Sequence, residues 1–146
     1  MEGGRTSRRK TDKAAIQEIE GFFFKTVRAS ALGKRIKGEL YRPGTRPANR
    51  REEDIIVEFV GGMDGQVQEG AVHVNVYVKD VPSKTGELVI HHERIGELES
   101  LVQDLVADFR GSDYYVRTTT TAKAYAVREL DQHCFTIRLE FKVLTD

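Results

Sequence analysis

An α+β fold, with a mostly antiparallel sheet of four to five strands, two helices packed on one face and a long C-terminal β-hairpin, is expected from three features of this sequence. Two stretches repeat apolar residues at steps of three and four, the mark of a helix buried along one side. Other stretches alternate apolar and polar residues, as strands covered on one face do. The length of 146 residues, 39% of them hydrophobic, suffices for one core without disulfides or metal.

Met1 is the only apolar residue in MEGGRTSRRKTD, so nothing there offsets the entropy of ordering, and residues 1–13 are expected to form a flexible basic tail. Residues 14–146 are expected to form a single domain. From Ala14, the residues Ile16, Ile19, Phe23 and Val27 share one helical face, with Thr11 or Asp12 as the cap and Gly33 as the terminator. Residues 34–51, rich in Arg, Gly and Pro, read as a loop or edge strand with a short extended piece at Glu39 to Arg42.

Asp54 to Val60 (DIIVEFV) is β-branched and aromatic enough for a strand, and Gly61-Gly62-Met63-Asp64-Gly65 is turn chemistry leading into a second. In that second strand Val72, Val74, Val76 and Val78 take one face, and His73, Asn75, Tyr77 and Lys79 the other. Pro82 to Gly86 breaks the pattern. A second helix follows, striped by Ile95, Leu98, Val102, Leu105 and Phe109, with Glu93 and Glu97 at its start, Arg110 at its end, and Gly111 in the left-handed position beyond. Burying those five side chains contributes about 8–15 kcal/mol before entropy is subtracted, so this helix must pack on something.

The last third reads as one hairpin, with arms from Tyr114 to Val127 and from His133 to Leu144. The second arm puts His133, Phe135, Ile137, Leu139, Phe141 and Val143 on one face and Cys134, Thr136, Arg138, Glu140 and Lys142 on the other. In the first arm Ala122, Ala124 and Ala126 share a face small enough for a helix to approach closely. A straight strand of that length spans about 46 Å, against a radius of gyration of about 15 Å for a globular chain of this size, so the hairpin must bend, bulge or project.

Composition narrows the function. Lys plus Arg number 23 and Asp plus Glu number 23, for zero formal charge, which argues against a generally basic nucleic-acid binder. The balance hides a division: residues 1–50 carry a net +8 and residues 51–146 a net −8. Cys134 is the only cysteine, so neither an intramolecular disulfide nor a multi-cysteine zinc site is possible, and the absence of partners makes a passive thiol the better reading. No run has the length of a membrane span, and no signal-peptide core is present at the N-terminus.

No catalytic constellation stands out. His91-His92-Glu93 lacks the i, i+4 spacing of a helical metal site, His73 has no evident partner, and His133 continues an apolar face as a hydrogen-bonded core or rim residue. The Gly61–Gly65 run has no Gly-Lys-Ser/Thr ending and precedes a strand, so it is a turn rather than a phosphate loop. No serine lies in a nucleophile elbow. Neither a cofactor nor a metal is expected. The feature stronger than composition predicts is basic: Arg5, Arg8, Arg9, Lys10 and Lys13, continued by Lys34, Arg35, Lys37, Arg42, Arg46, Arg50 and Arg51. It suits phosphates, the acidic body of a neighbouring subunit, or plain solvation.

In element order, and in DIIVEFV, AVHVNVYVKD, IGELESLVQDLVADF and the closing CFTIRLEFKVL, residues 14–146 resemble the tail-terminator, or tail-completion, proteins of long-tailed bacteriophages and prophages. The resemblance implies a compact α+β subunit that forms a ring, usually a hexamer, which caps the tail tube, stops its growth and joins it to the head, with no chemistry. Its implied partners are copies of itself, the tail tube protein and a head-completion protein, with incidental DNA contact and no membrane. Its implied location is the cytoplasm during assembly and then the virion. The basic extension before Asp12 and the segment from Pro82 to Glu93 depart from a minimal member.

No family motif carries contact residues over, so the interface candidates are physical ones. They are the polar strand face of His73, Asn75, Tyr77 and Lys79, the loop of Arg42, Arg46, Arg50 and Arg51, and the turn with Met63, Asp64 and Gln66. The alternative reading is a small nucleic-acid-binding or regulatory module in which the tail and the Arg-rich loop grip phosphates.

Overall fold

A computed structural model describes residues 2–63, 66–119 and 123–144. The fold is α+β, built on a six-stranded sheet with helices on one face. In chain order the elements are α1 (Glu2–Ala29), α2 (Ala31–Arg35), β1 (Leu40–Tyr41), β2 (Ile55–Met63), β3 (Gln66–Lys79), β4 (Val81–Pro82) and β5 (Leu88–Val89). They continue with α3 (His92–Glu99), α4 (Val102–Ala107), β6 (Tyr114–Thr118), β7 (Tyr125–Val127), a 3₁₀ turn (Arg128–Leu130) and β8 (Gln132–Val143). The strand order is β1-β2-β3-β8-β6, with β7 also on β8. All pairings are antiparallel except that of the two-residue edge strand β1 with β2. Two more strands join the main sheet than the four expected at minimum, because the Glu39–Arg42 segment pairs and the first hairpin arm divides.

The valine alternation in β3 works as its period requires: Val72, Val74, Val76 and Val78 are buried, as are Phe135, Ile137, Leu139 and Phe141 on the same face of β8. Against this face pack Ile19, Phe23 and Val27 of α1, Leu32 of α2, and the stripe Ile95, Leu98, Val102, Leu105 and Phe109. Phe23 sits at its centre, 4.6 Å from the Phe109 ring and 5.4 Å from Phe141. Ile16, expected in the buried stripe, is 37% exposed, because burial along α1 begins only at Ile19.

Several boundaries depart from the expected ones for identifiable reasons. The helix α1 runs from Glu2, so Thr11 and Asp12 lie within it rather than at its start. Arg, Lys and Glu favour helix, and extending a helix already anchored downstream needs no new nucleus. Gly33 does not end α1. Ser30 ends it and caps α2, its Oγ accepting from the Gly33 N–H at 3.1 Å. Gly33 is required for another reason: a Cβ there would collide with the Val27 carbonyl. The second helix is two, α3 and α4, joined at Ser100–Leu101, and its stripe is buried across the break. Gly111 takes the left-handed φ of 82° expected after it.

The long first arm divides. Between Thr118↔Leu139 and Tyr125↔Cys134 the chain has six residues against four in β8, and pairing with β8 is made by β6 up to Thr118 and by β7 from Tyr125. Ala126 is exposed and Ala124 touches the core edge, whereas Ala122 lies outside the described residues. The Gly-rich run is likewise less turn than strand, since Gly61 and Gly62 pair with Ala71 and Gly70 through two register shifts. No described helix is long and apolar enough to cross a membrane.

Gly33→Ala should destabilise the fold even though alanine gains about 1 kcal/mol of helix propensity, because the clash with the Val27 carbonyl forces α1 and α2 apart. Chemical denaturation measures the difference, and a variant as stable as the wild type would contradict this packing.

Candidate interaction surface

The helices cover one face of the sheet and leave the other to a single loop. Residues 37–54 cross the sheet end near Lys79, and three carboxylates anchor them. Asp54, fully buried, accepts from the Glu39 N–H at 2.9 Å, from Arg46 Nε at 2.9 Å and from Arg50 Nε at 3.1 Å. Glu53 accepts from the Lys37 N–H at 2.9 Å and from both ends of the Arg94 fork, at 2.7 and 2.8 Å. Glu20, on α1, accepts from Arg42 at 2.8 Å and from the Phe59 N–H of β2 at 2.9 Å, where the ladder shifts register.

The Arg-rich loop therefore turns much of its charge inward. Arg46 is nearly buried: it lies 4.2 Å over the Tyr77 ring and also reaches Gln132 Oε1 at 3.0 Å. Arg51 pairs with Asp131 at 2.8 Å near the surface, and Lys79 with Glu52 at 3.4 Å. Arginines of this loop thus find the carboxylates of Asp54 and Asp131 within the same chain.

On the strand itself, Asn75 Oδ1 accepts from the Thr136 hydroxyl at 2.7 Å, and His73 Nε2 lies 3.1 Å from Arg138 Nη1. Burial holds the His73 imidazole below its ordinary pKa, Arg138 adding to the effect and Glu58 opposing it. Tyr77 is half-buried beneath Arg46, and burial raises its pKa. Cys134, opposite Tyr77 and Tyr125 in the ladder, is fully buried; burial raises its thiol pKa. The backbones of Met63 and Gln66 pair at the far end of the β2–β3 hairpin, and Asp64 lies outside the described residues. The structure thus brings together the arginine loop with Tyr77 and Lys79, but not with the Met63–Gln66 end.

Toward that far end the open face forms a concavity that the candidates missed, lined among others by Glu69, Tyr115, Arg117, Arg138, Glu140 and Lys142. Glu140 bridges Arg117 at 2.9 Å and Arg138 at 3.3 Å. The alternation in β8 placed Arg138, Glu140 and Lys142 on one face; what the sequence lacked was the register that sets β6 beside them.

Of the histidines, His91 caps α3 by accepting from the Arg94 N–H at 3.3 Å, and His133 meets Asp80 at 2.6 Å. Among the described residues no group of three or more His, Cys, Asp or Glu side chains is placed to hold a metal. No family model matches the sequence, and no curated protein matches it.

Asp54→Ala should cost about 3–5 kcal/mol by stranding Arg46 in a near-buried position, read as a lower denaturation midpoint. Burial pushes the Asp54 carboxyl up, but the hydrogen bonds from Arg50, the Glu39 N–H and Arg46 outweigh it and hold the net value below 3.8. Its contribution is therefore complete from about a unit above the ordinary carboxyl pKa of about 3.9 and is lost progressively as pH falls toward and through the lower, folded-state value. A stability–pH curve below pH 4 that is equally steep in Asp54→Asn would refute this assignment.

Proposed function

We propose that this chain is a non-enzymatic assembly subunit of the phage tail-terminator kind. Copies close head to tail into a ring, hexameric as the resemblance implies, that caps the tail tube and presents a surface for a head-completion protein. The carrying observation is the one-sided sheet: its open face and β6 edge display Tyr115 and Tyr125, 58% and 53% exposed. Recognition surfaces favour aromatic side chains, and an edge strand with unpaired backbone is a natural contact for another chain. In this reading the subunit works in the cytoplasm during assembly and ends in the virion.

The nucleic-acid reading has less support, because Arg42, Arg46, Arg50 and Arg51 each have a carboxylate partner within the chain. Light scattering across a concentration series should find a closed species near six times the 16.5 kDa chain mass. That species should bind the open ends of tail tubes and stop their growth. A monomer at every concentration, or a DNA mobility shift at low salt abolished by deleting residues 1–13, would overturn the proposal in favour of the alternative.

A further inference from the structure

The β4–β5 hairpin stands outside the main sheet, and residues 84–89 are exposed throughout, including Leu88 at 48% and Val89 at 39%. Its turn has the Ser83 N–H donating to the Glu87 carbonyl at 2.7 Å, with Gly86 at a φ of 91°. Hydrogen-bonded pairs alternate along an antiparallel ladder. The next pair, Pro82↔Leu88, is therefore non-hydrogen-bonded, and the Leu88 N–H and C=O point away from β4. On the β4 side Pro82 has no N–H to offer. The hairpin has one usable edge, and it is apolar.

The β6 edge is open in a complementary way. Leu144 N donates to Asp113 O at 2.8 Å and Thr119 N to Arg138 O at 3.1 Å, so by the same alternation Tyr114, Val116 and Thr118 direct their backbone groups outward. The Ser112 hydroxyl, which donates to the Phe109 carbonyl at 2.6 Å, accepts from the Tyr114 N–H at 3.1 Å, which leaves Val116 and Thr118 with both backbone groups directed outward. Beside this edge runs a groove floored by Val106 and Phe109 and flanked by Arg110 and Leu144.

We propose that the β5 edge of one copy adds antiparallel to the β6 edge of a second copy, with Leu88 opposite Val116. This register satisfies the outward backbone groups of both residues and lays the Leu88 side chain toward Val106 and Phe109. It sets Val89 opposite Tyr115 and Glu87 opposite Arg117, an apolar pair and an oppositely charged pair. The hairpin does not reach its own β6: it leaves the sheet beside Gln132, and Val116 pairs with Phe141, nine residues along β8 or about 30 Å away. Donor and acceptor edges are different surfaces of one chain, so the contact is head to tail. The inference rests on the self-association proposed above and names the surfaces that make it.

In this register Val89 and Tyr115 form a non-hydrogen-bonded pair with Cα atoms about 4.5 Å apart, within disulfide range. Val89→Cys and Tyr115→Cys, both at exposed positions, are purified separately, mixed and oxidised. A disulfide-linked dimer in the mixture, absent from either variant alone, is the expected result, and Leu88→Arg should lower the wild-type mass to that of a monomer. Failure of the mixture to cross-link overturns the inference. If the wild type is then still a multimer by light scattering, and Leu88→Arg leaves it so, the ring reading survives without these edges; if the wild type is a monomer, both fail.

Discussion

The pairing of β3 with β8 puts every second side chain of the two central strands against the helices, and this one-sided burial governs the rest of the structure. Four valines on β3 and four large apolar residues on β8 form a continuous floor. On it the α1 stripe and the divided α3–α4 stripe both find their cover. A one-residue slip between the strands would turn that floor to solvent, so the apolar pattern itself enforces the register.

The consequence of burying one face is that the other must be dealt with. At the Lys79 end the chain covers its own sheet with residues 37–54, held by Asp54, Glu53 and Glu20, and this cover brings Arg46 onto Tyr77 and buries Cys134. At the other end no loop crosses among the described residues, and the Glu140-centred ion pairs and Tyr115 stay accessible. The covered end is a matter of stability, whereas the neighbouring β6 edge at the uncovered end is where we propose association with another copy.

The charge division takes a different meaning in this light. A basic first third and an acidic remainder suggest attraction between molecules, yet much of it is spent within one. Arg46 and Arg50 of the basic third reach Asp54 across the division, whereas Arg51–Asp131 and Arg94–Glu53 pair within the acidic remainder. Burial makes the Asp54 and Glu53 pairings structural requirements, since removing either partner strands the other away from water. The proposed contact between copies correspondingly relies on strand addition and apolar side chains, with Glu87 and Arg117 as its charged pair.

Local sequence determined the helix faces apart from Ile16, the β3 and β8 alternation, and the left-handed Gly111, because the first two follow a fixed repeat of 3.6 or 2 and the last follows from glycine's freedom at a helix end. It missed what depends on distant partners. The apolar stripe from Ile95 to Phe109 runs on unbroken through Ser100–Leu101, so nothing in its spacing marks the end of α3. The division of the last hairpin follows from a two-residue surplus that is visible only once Thr118 and Tyr125 have partners. Among the candidate residues, His73, Asn75, Tyr77 and Lys79 could be placed on the polar face from their alternation, but the inward turn of Arg46 and Arg50 could not. A guanidinium in a polar loop reads as solvated until tertiary structure puts a buried carboxylate beside it.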